Sequence, residues 1–143
     1  MCKYNRYQRE VIANCFKQLG GIRWLSGGKP DWTMGRLTID IYIHHLNGHS
    51  ASTEMAAEFM GTRHPHTTKN YLERAIKEGL IEPDESDPKK MPPLLVATDE
   101  LIETVESLLV ENFDKIRLCM QQVISLGEPD EEDGVLPWFT KAA

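Results

Sequence analysis

Hydroxyls, an amide and cations gather on one face of a helix that the spacing predicts over residues 65–78. His66, Thr67, Thr68, Lys69, Asn70 and Arg74 carry the groups that bond phosphate oxygens and base edges, and Arg63 and His64 stand just ahead of them. Glu73 and Glu78 are acidic members of the same helix, and the plainer alternative is an ordinary solvated face. Lys89 and Lys90 add a second pair of cations in a polar loop. This is binding chemistry. No Ser/His/Asp order, phosphate-cradling glycine loop or paired carboxylates stand out, and Gly27-Gly28-Lys29 lacks the rest of a P-loop. Neither an enzyme nor a cofactor is expected. All five histidines (His44, His45, His49, His64, His66) lie between positions 44 and 66. His45 and His49 have the spacing of a metal pair, but Asn47-Gly48 should end the helix between them, and no zinc-spaced Cys or acid lies nearby. No metal is expected. His64 and His66 instead sit where protonation would make binding pH-dependent.

The elements that must position these groups run from Ser52 to Thr98. Ser52 caps a helix to Met60 whose apolar side is Met55, Ala56, Phe59 and Met60, and Gly61 supplies a tight turn. Pro65 opens the next helix, where its missing N–H costs nothing, and Leu72, Ala75, Ile76 and Leu80 face the core. Residues 82–93 form a hairpin-like loop without core potential, and Leu94–Ala97 is a short strand. The order is helix, turn, helix, wing. Upstream, Thr33 is the predicted cap of a helix over Met34–Leu46, with Leu37, Ile41 and Tyr42 inward and Asn47-Gly48 closing it.

Two helices flank this region. Tyr4, Tyr7, Val11, Cys15 and Leu19, widened by Ile12 and Phe16, predict an amphipathic helix over 4–19. Gly20-Gly21 ends it, Ile22–Leu25 adds a turn, and Gly27–Pro30 breaks the chain. Trp24 and Trp32 bracket that breaker, either packing a helix junction or lining a small-molecule pocket. The last helix, Asp99–Leu126, shows a heptad. Ile102, Leu109, Ile116 and Val123 hold one seam position, and Val105, Asn112, Cys119 and Leu126 the other. At about 1.5 Å per residue it is about 42 Å long, which suggests a seam for a second protomer with Asn112 setting register. Val11 and Cys15 would join that dimer surface. The expected organisation is one domain over 1–143 in the mainly α class with a small β-wing. Residues 33–98 form a winged helix-turn-helix, 1–25 and 99–126 are dimerisation helices, and 127–143 are an acidic then aromatic tail. In that tail Trp138-Phe139 would dock on the partner subunit.

Net charge is −6, distributed as +4 over residues 1–32, −2 over 33–98 and −8 over 99–143. Acid therefore concentrates away from the reading head, where it aids solubility. No apolar run reaches the roughly 18 residues of a membrane span. The N-terminus lacks the apolar stretch of a secretory signal. Cys2, Cys15 and Cys119 are odd in number and widely spaced, which fits a reducing cytoplasm.

The stretch Asp31 to Leu108 resembles the MarR-type winged-helix regulators. Asp31-Trp32-Thr33 is similar to that family's Leu-Thr entry into its second helix, and Ser52…Met55-Ala56-Ala57 to its Thr-x-x-Glu-Leu-Ala. Thr67 falls at its recognition-helix Thr, and Gly79-Leu80-Ile81 matches its Gly-Leu-Val. Asp87-Pro88-Lys89-Lys90 resembles its wing Asp-x-Arg-Arg, and Val96–Glu100 its lead into the dimer helix. Departures are a turn one residue longer, Asn70 in place of Arg, Ala75-Ile76 in place of Leu-Glu, and lysines in place of the wing arginines, which lack the planar fork for bidentate contacts. Pro92-Pro93 interrupts the wing strand, and Asp84, Glu85 and Asp87 would repel phosphate unless paired locally. The resemblance implies a homodimeric transcriptional regulator, with repression the favoured outcome. It would bind double-stranded DNA at a pseudo-palindromic operator with half-sites roughly 34–36 Å apart. It also implies an unidentified small-molecule effector. Some relatives sense oxidants through an N-terminal-helix cysteine, but Cys15 lies on the apolar stripe and is expected to be buried and inert. The alternative function is a winged helix used for protein interaction without sequence-specific DNA binding.

Overall fold

Residues 2–18, 24–26 and 29–127 are described by the computed structural model. The elements in order are α1 (Arg6–Gln18), β1 (Trp24–Ser26), β2 (Lys29–Asp31), α2 (Trp32–Leu46), α3 (Thr53–Met60), α4 (Pro65–Lys77), β3 (Ile81–Pro83), β4 (Leu95–Ala97) and α5 (Asp99–Ser125). The chain divides into two compact units, Met1–Val110 and Glu111–Ala143. The result is a mainly helical fold with small antiparallel sheets, as the sequence predicts in its coarse form.

In the first unit α2 is the central helix. Met34, Leu37, Thr38, Ile39 and Tyr42 are wholly buried, as expected of a helix that is apolar on more than one face. Its cap is Asp31, not Thr33. Asp31 ends β2 with an extended backbone, so its carboxylate reaches the Met34 amide at 2.9 Å. Asn47 closes the helix and Gly48 follows at φ 70°. The extra helical turn expected up to Leu25 is instead strand at Trp24–Ser26, paired antiparallel with Lys29–Asp31. The expectations for Leu19–Arg23, Gly27-Gly28 and the tail 128–143, Trp138-Phe139 included, lie outside the described residues.

α1 corrects the predicted stripe. Ile12 and Ala13 are buried, whereas Tyr7 is 68% and Val11 63% exposed. Polar bonds hold the helix instead: Arg6 Nη1 donates to the Leu46 carbonyl at 3.0 Å, Lys17 pairs with buried Asp40 at 2.6 Å, and Arg9 pairs with Glu106. These bonds turn the helix about its axis relative to the purely apolar reading.

Ser52 caps α3 through the Met55 amide at 3.1 Å, and Gly61 ends it in the left-handed region at φ 69°. Buried Ala56 lets α2 and α3 approach closely. In α4, Thr68, Leu72 and Ala75 face inward. Ile76 was expected there too, but it sits one residue, about 100°, past Ala75 and is 42% exposed. β3 and β4 pair antiparallel in the register Ile81↔Ala97 and Pro83↔Leu95, and Asp84 N–H to the Leu94 carbonyl at 2.7 Å extends the ladder past Pro83. Ala51 adds a one-residue third strand, exchanging both bonds with Leu95 at 2.9 and 2.8 Å.

Thr98 caps α5, accepting from the Leu101 amide at 3.2 Å and donating to the Gly79 carbonyl at 2.6 Å. The heptad then splits. Leu101, Val105 and Leu109 are buried in the first unit. Val105 and Leu109, expected at a protomer seam, are therefore spent on this chain's own core. In the second unit Ile116, Leu118, Met120, Val123, Ile124 and Leu126 are exposed, with Lys115–Glu111 and Arg117–Asp114 ion pairs beside them. Among the described residues no helix is long and apolar enough to cross a membrane.

Candidate nucleic-acid interface

Burial of Thr68, Leu72 and Ala75 leaves the opposite face of α4 to solvent, and His66, Thr67, Lys69, Asn70 and Glu73 are exposed on it. Pro65 sets the first turn, and His64, the cap residue, makes no side-chain capping bond. Arg63 and His64 are exposed beside it. His66 Nε2 and Asn70 Nδ2 lie 3.3 Å apart one turn along, so Asn70 is partly oriented before any ligand arrives. Lys69 is 3.8 Å from Glu73, an exposed pair that water screens.

Two residues expected to touch DNA do other work. Thr68 is buried, shares a 2.7 Å bond with the Thr62 hydroxyl and donates to the His64 carbonyl at 3.3 Å. It fastens the turn to the helix because its position falls on the inward face. Arg74 is bound by Asp31, with the Tyr71 ring 5.0 Å from its guanidinium carbon. Its charge already has an internal partner, although its side chain remains 41% exposed.

In the connection between β3 and β4, Lys89 and Lys90 are exposed. Asp84 and Asp87 beside them accept local hydrogen bonds, while Glu85 is exposed. Asp87 accepts the Lys89 amide at 3.3 Å through its side chain and the Lys90 amide at 3.2 Å through its carbonyl. Asp84 accepts the Ser50 hydroxyl at 2.5 Å and the Ser86 amide at 3.0 Å. These bonds hold the Asp84 carboxyl below the usual carboxylate range, the Ser50 hydroxyl contributing most. The bonds fix where the charges sit and do not neutralise them, so both carboxylates keep their negative charge beside Lys89 and Lys90. Ser50 carries no signal in the sequence, because its partner is far along the chain. The same holds for Arg36, which is exposed on α2. A Cβ built on Gly61 would lie 3.5 Å from its Nη1, so this cation rests against the turn that leads to α4.

No family model matches the chain. No curated protein and no solved structure matches it. The site must therefore be read from its own chemistry.

Other expected groups fall as follows. Trp32, 55% exposed, lines an open groove with Lys17, Arg36, Asp40, Glu58 and Phe59, and the side chain of Trp24 lies outside the described residues. His44 bonds the Asp40 carbonyl at 3.0 Å and lies 4.9 Å from the Phe59 ring, both ordinary packing. No three His, Cys, Asp or Glu side chains among the described residues are grouped to hold a metal ion. Cys15 is exposed, which corrects its expected burial. Of the dimer set, Val11, Cys15, Ile116, Cys119 and Val123 are exposed, and Ile102 and Asn112 are half-buried. Cys119, Met120, Val123 and Ile124 form one exposed, largely apolar patch on α5.

Proposed function

We propose that this chain is a homodimeric, cytoplasmic DNA-binding transcriptional regulator of winged-helix, MarR-like type, without enzymatic activity. The observation that carries the proposal is the arrangement from α2 to β4. A capped three-helix unit turns at Gly61, exposes the polar face of α4, and is followed by a hairpin tied back to Ala51. In this reading α4 enters the major groove. Thr67 and Asn70 meet base edges, and Arg63, His64, His66 and Lys69 meet the backbone. Lys89 and Lys90 meet phosphate from the wing, and Arg36 adds a cation behind the turn. The exposed apolar part of α5 supports a dimer seam restricted to the Ile116–Val123 region. A small effector, expected from the resemblance alone, would find room in the groove beside Trp32.

The test is a gel shift on duplex from the protein's own upstream region at rising salt. Affinity should fall steeply, because Lys and Arg release counterions from the phosphates they neutralise. A purified chain that binds no duplex at low salt overturns the proposal. That result would favour the second reading, a winged helix serving protein interaction, which draws on the net charge of −6.

A further inference from the structure

One carboxylate serves two elements. Oδ1 of Asp31 accepts the Met34 amide and caps α2, while Oδ2 accepts from Nη2 of Arg74 on α4. Asp31 is also the last residue of β2, opposite Trp24 in the hairpin register, so its backbone is fixed on both sides. The Asp31 side chain is mostly shielded from water, at 15% exposure. Arg74 is confined as well. Its Nε is buried without a hydrogen-bond partner, and the Glu78 carboxylate stands 4.0 Å off, beyond hydrogen-bond reach. The Glu78 charge and the Tyr71 ring flank the guanidinium, and among these contacts the bond from Nη2 to Asp31 is the one that ties Arg74 to another element.

Arg74 lies four residues after Asn70 and seven after Thr67, so the three share one stripe of α4. The first two are exposed; the third is anchored. We infer that Asp31 is a positioning residue for α4: by holding Arg74 it fixes the angle at which Thr67 and Asn70 are presented to a duplex. The inference rests on the DNA reading proposed above. It gives the β1–β2 hairpin a purpose, since the hairpin delivers Asp31 to both bonds.

Asp31→Asn tests it, because Asn caps a helix as well as Asp and leaves α2 intact. Arg74→Gln reaches the same bond from the other side. Amide hydrogen exchange on the free protein should quicken about fivefold within residues 65–77 in either variant, a common size for residues in one network, and stay unchanged in α1. Duplex affinity should fall about fivefold with an unchanged salt slope, since no phosphate contact is lost, and the double variant should be no worse than either single. Unchanged exchange in α4 overturns the inference. So does tighter binding with a steeper salt slope in Asp31→Asn, which would make Arg74 a phosphate contact and Asp31 its competitor. If the natural chain binds no duplex, the DNA reading fails by itself, and a stable α4 in both variants would still refute the positioning role.

Discussion

The Tyr42 hydroxyl donates to Glu106 Oε1 at 3.2 Å, and the same oxygen takes the guanidinium of Arg9. α1, α2 and the start of α5 thus meet on one carboxylate. Tyr42 is wholly buried, and burial first, then the charge of Glu106, pushes its phenol well above its ordinary range. A folded-state value raised above the unfolded one stabilises fully below the unfolded value, near pH ~10, and that stabilisation is lost as pH rises through the folded value. Melting temperature should therefore decline above about pH 10. Tyr42→Phe should cost about 1 kcal/mol at neutral pH for the lost bond and should flatten the alkaline decline. A melting series from pH 7 to 11 reads both.

The exposed cations and the buried hydroxyl should behave differently on DNA. Lys69→Gln and Lys89→Gln should each weaken binding alike on all sequences and lower the salt slope by about 1. Asn70→Ala should lose about 1–3 kcal/mol on the preferred site only. Thr68→Val should lower stability by about 1 kcal/mol for its bonds to Thr62 and His64, with the salt slope unchanged. Fluorescence anisotropy at several salt concentrations, beside thermal melts, separates the three classes.

Local signals were readable and long-range ones were not. Ser52, Gly61, Pro65 and Thr98 announce helix boundaries through chemistry contained within a few residues, and the structure places them there. Asp31 displaced Thr33 as a cap because a hairpin, hidden by its short strands, delivers an extended residue at that point. In the candidate site, Lys69 and Asn70 could be found by periodicity. Thr68 stands four and seven residues before Leu72 and Ala75, so the same spacing turns it inward, whereas Arg74 could not be assigned, since residue type is the same for a reader and for a fastener. For Arg74 the bond to Asp31, distant in the chain, decides.

The two halves of the α5 heptad should part company under mutation. Leu109→Ala should destabilise the first unit by about 2–5 kcal/mol, since Leu109 is buried there. Val123→Glu removes nothing from that core, because Val123 is 66% exposed. It should leave the melting transition in place and, in the dimer proposed above, shift the protein to monomer in sedimentation velocity. A Val123→Glu chain that sediments as a dimer would move the seam elsewhere.

Acid should loosen the β3–β4 connection. The depressed Asp84 carboxyl gives a stabilisation that is whole above the ordinary unfolded value near pH ~4 and disappears as pH falls through the folded value. Ser50→Ala should return the Asp84 titration toward its ordinary range. Side-chain carboxyl chemical shifts followed from pH 7 to 2 give the midpoint directly, and an unmoved midpoint would assign the depression to Ser86 instead.

The paired bonds between Ala51 and Leu95 lock the base of the β3–β4 hairpin to the segment that opens α3. A slip of one residue there would turn Leu95 from core to solvent. The tip from Glu85 to Met91 carries no such obligation, being exposed throughout. It is thus a splice point: foreign residues inserted between Asp87 and Met91 would lengthen the hairpin while α3 and α4 kept their places.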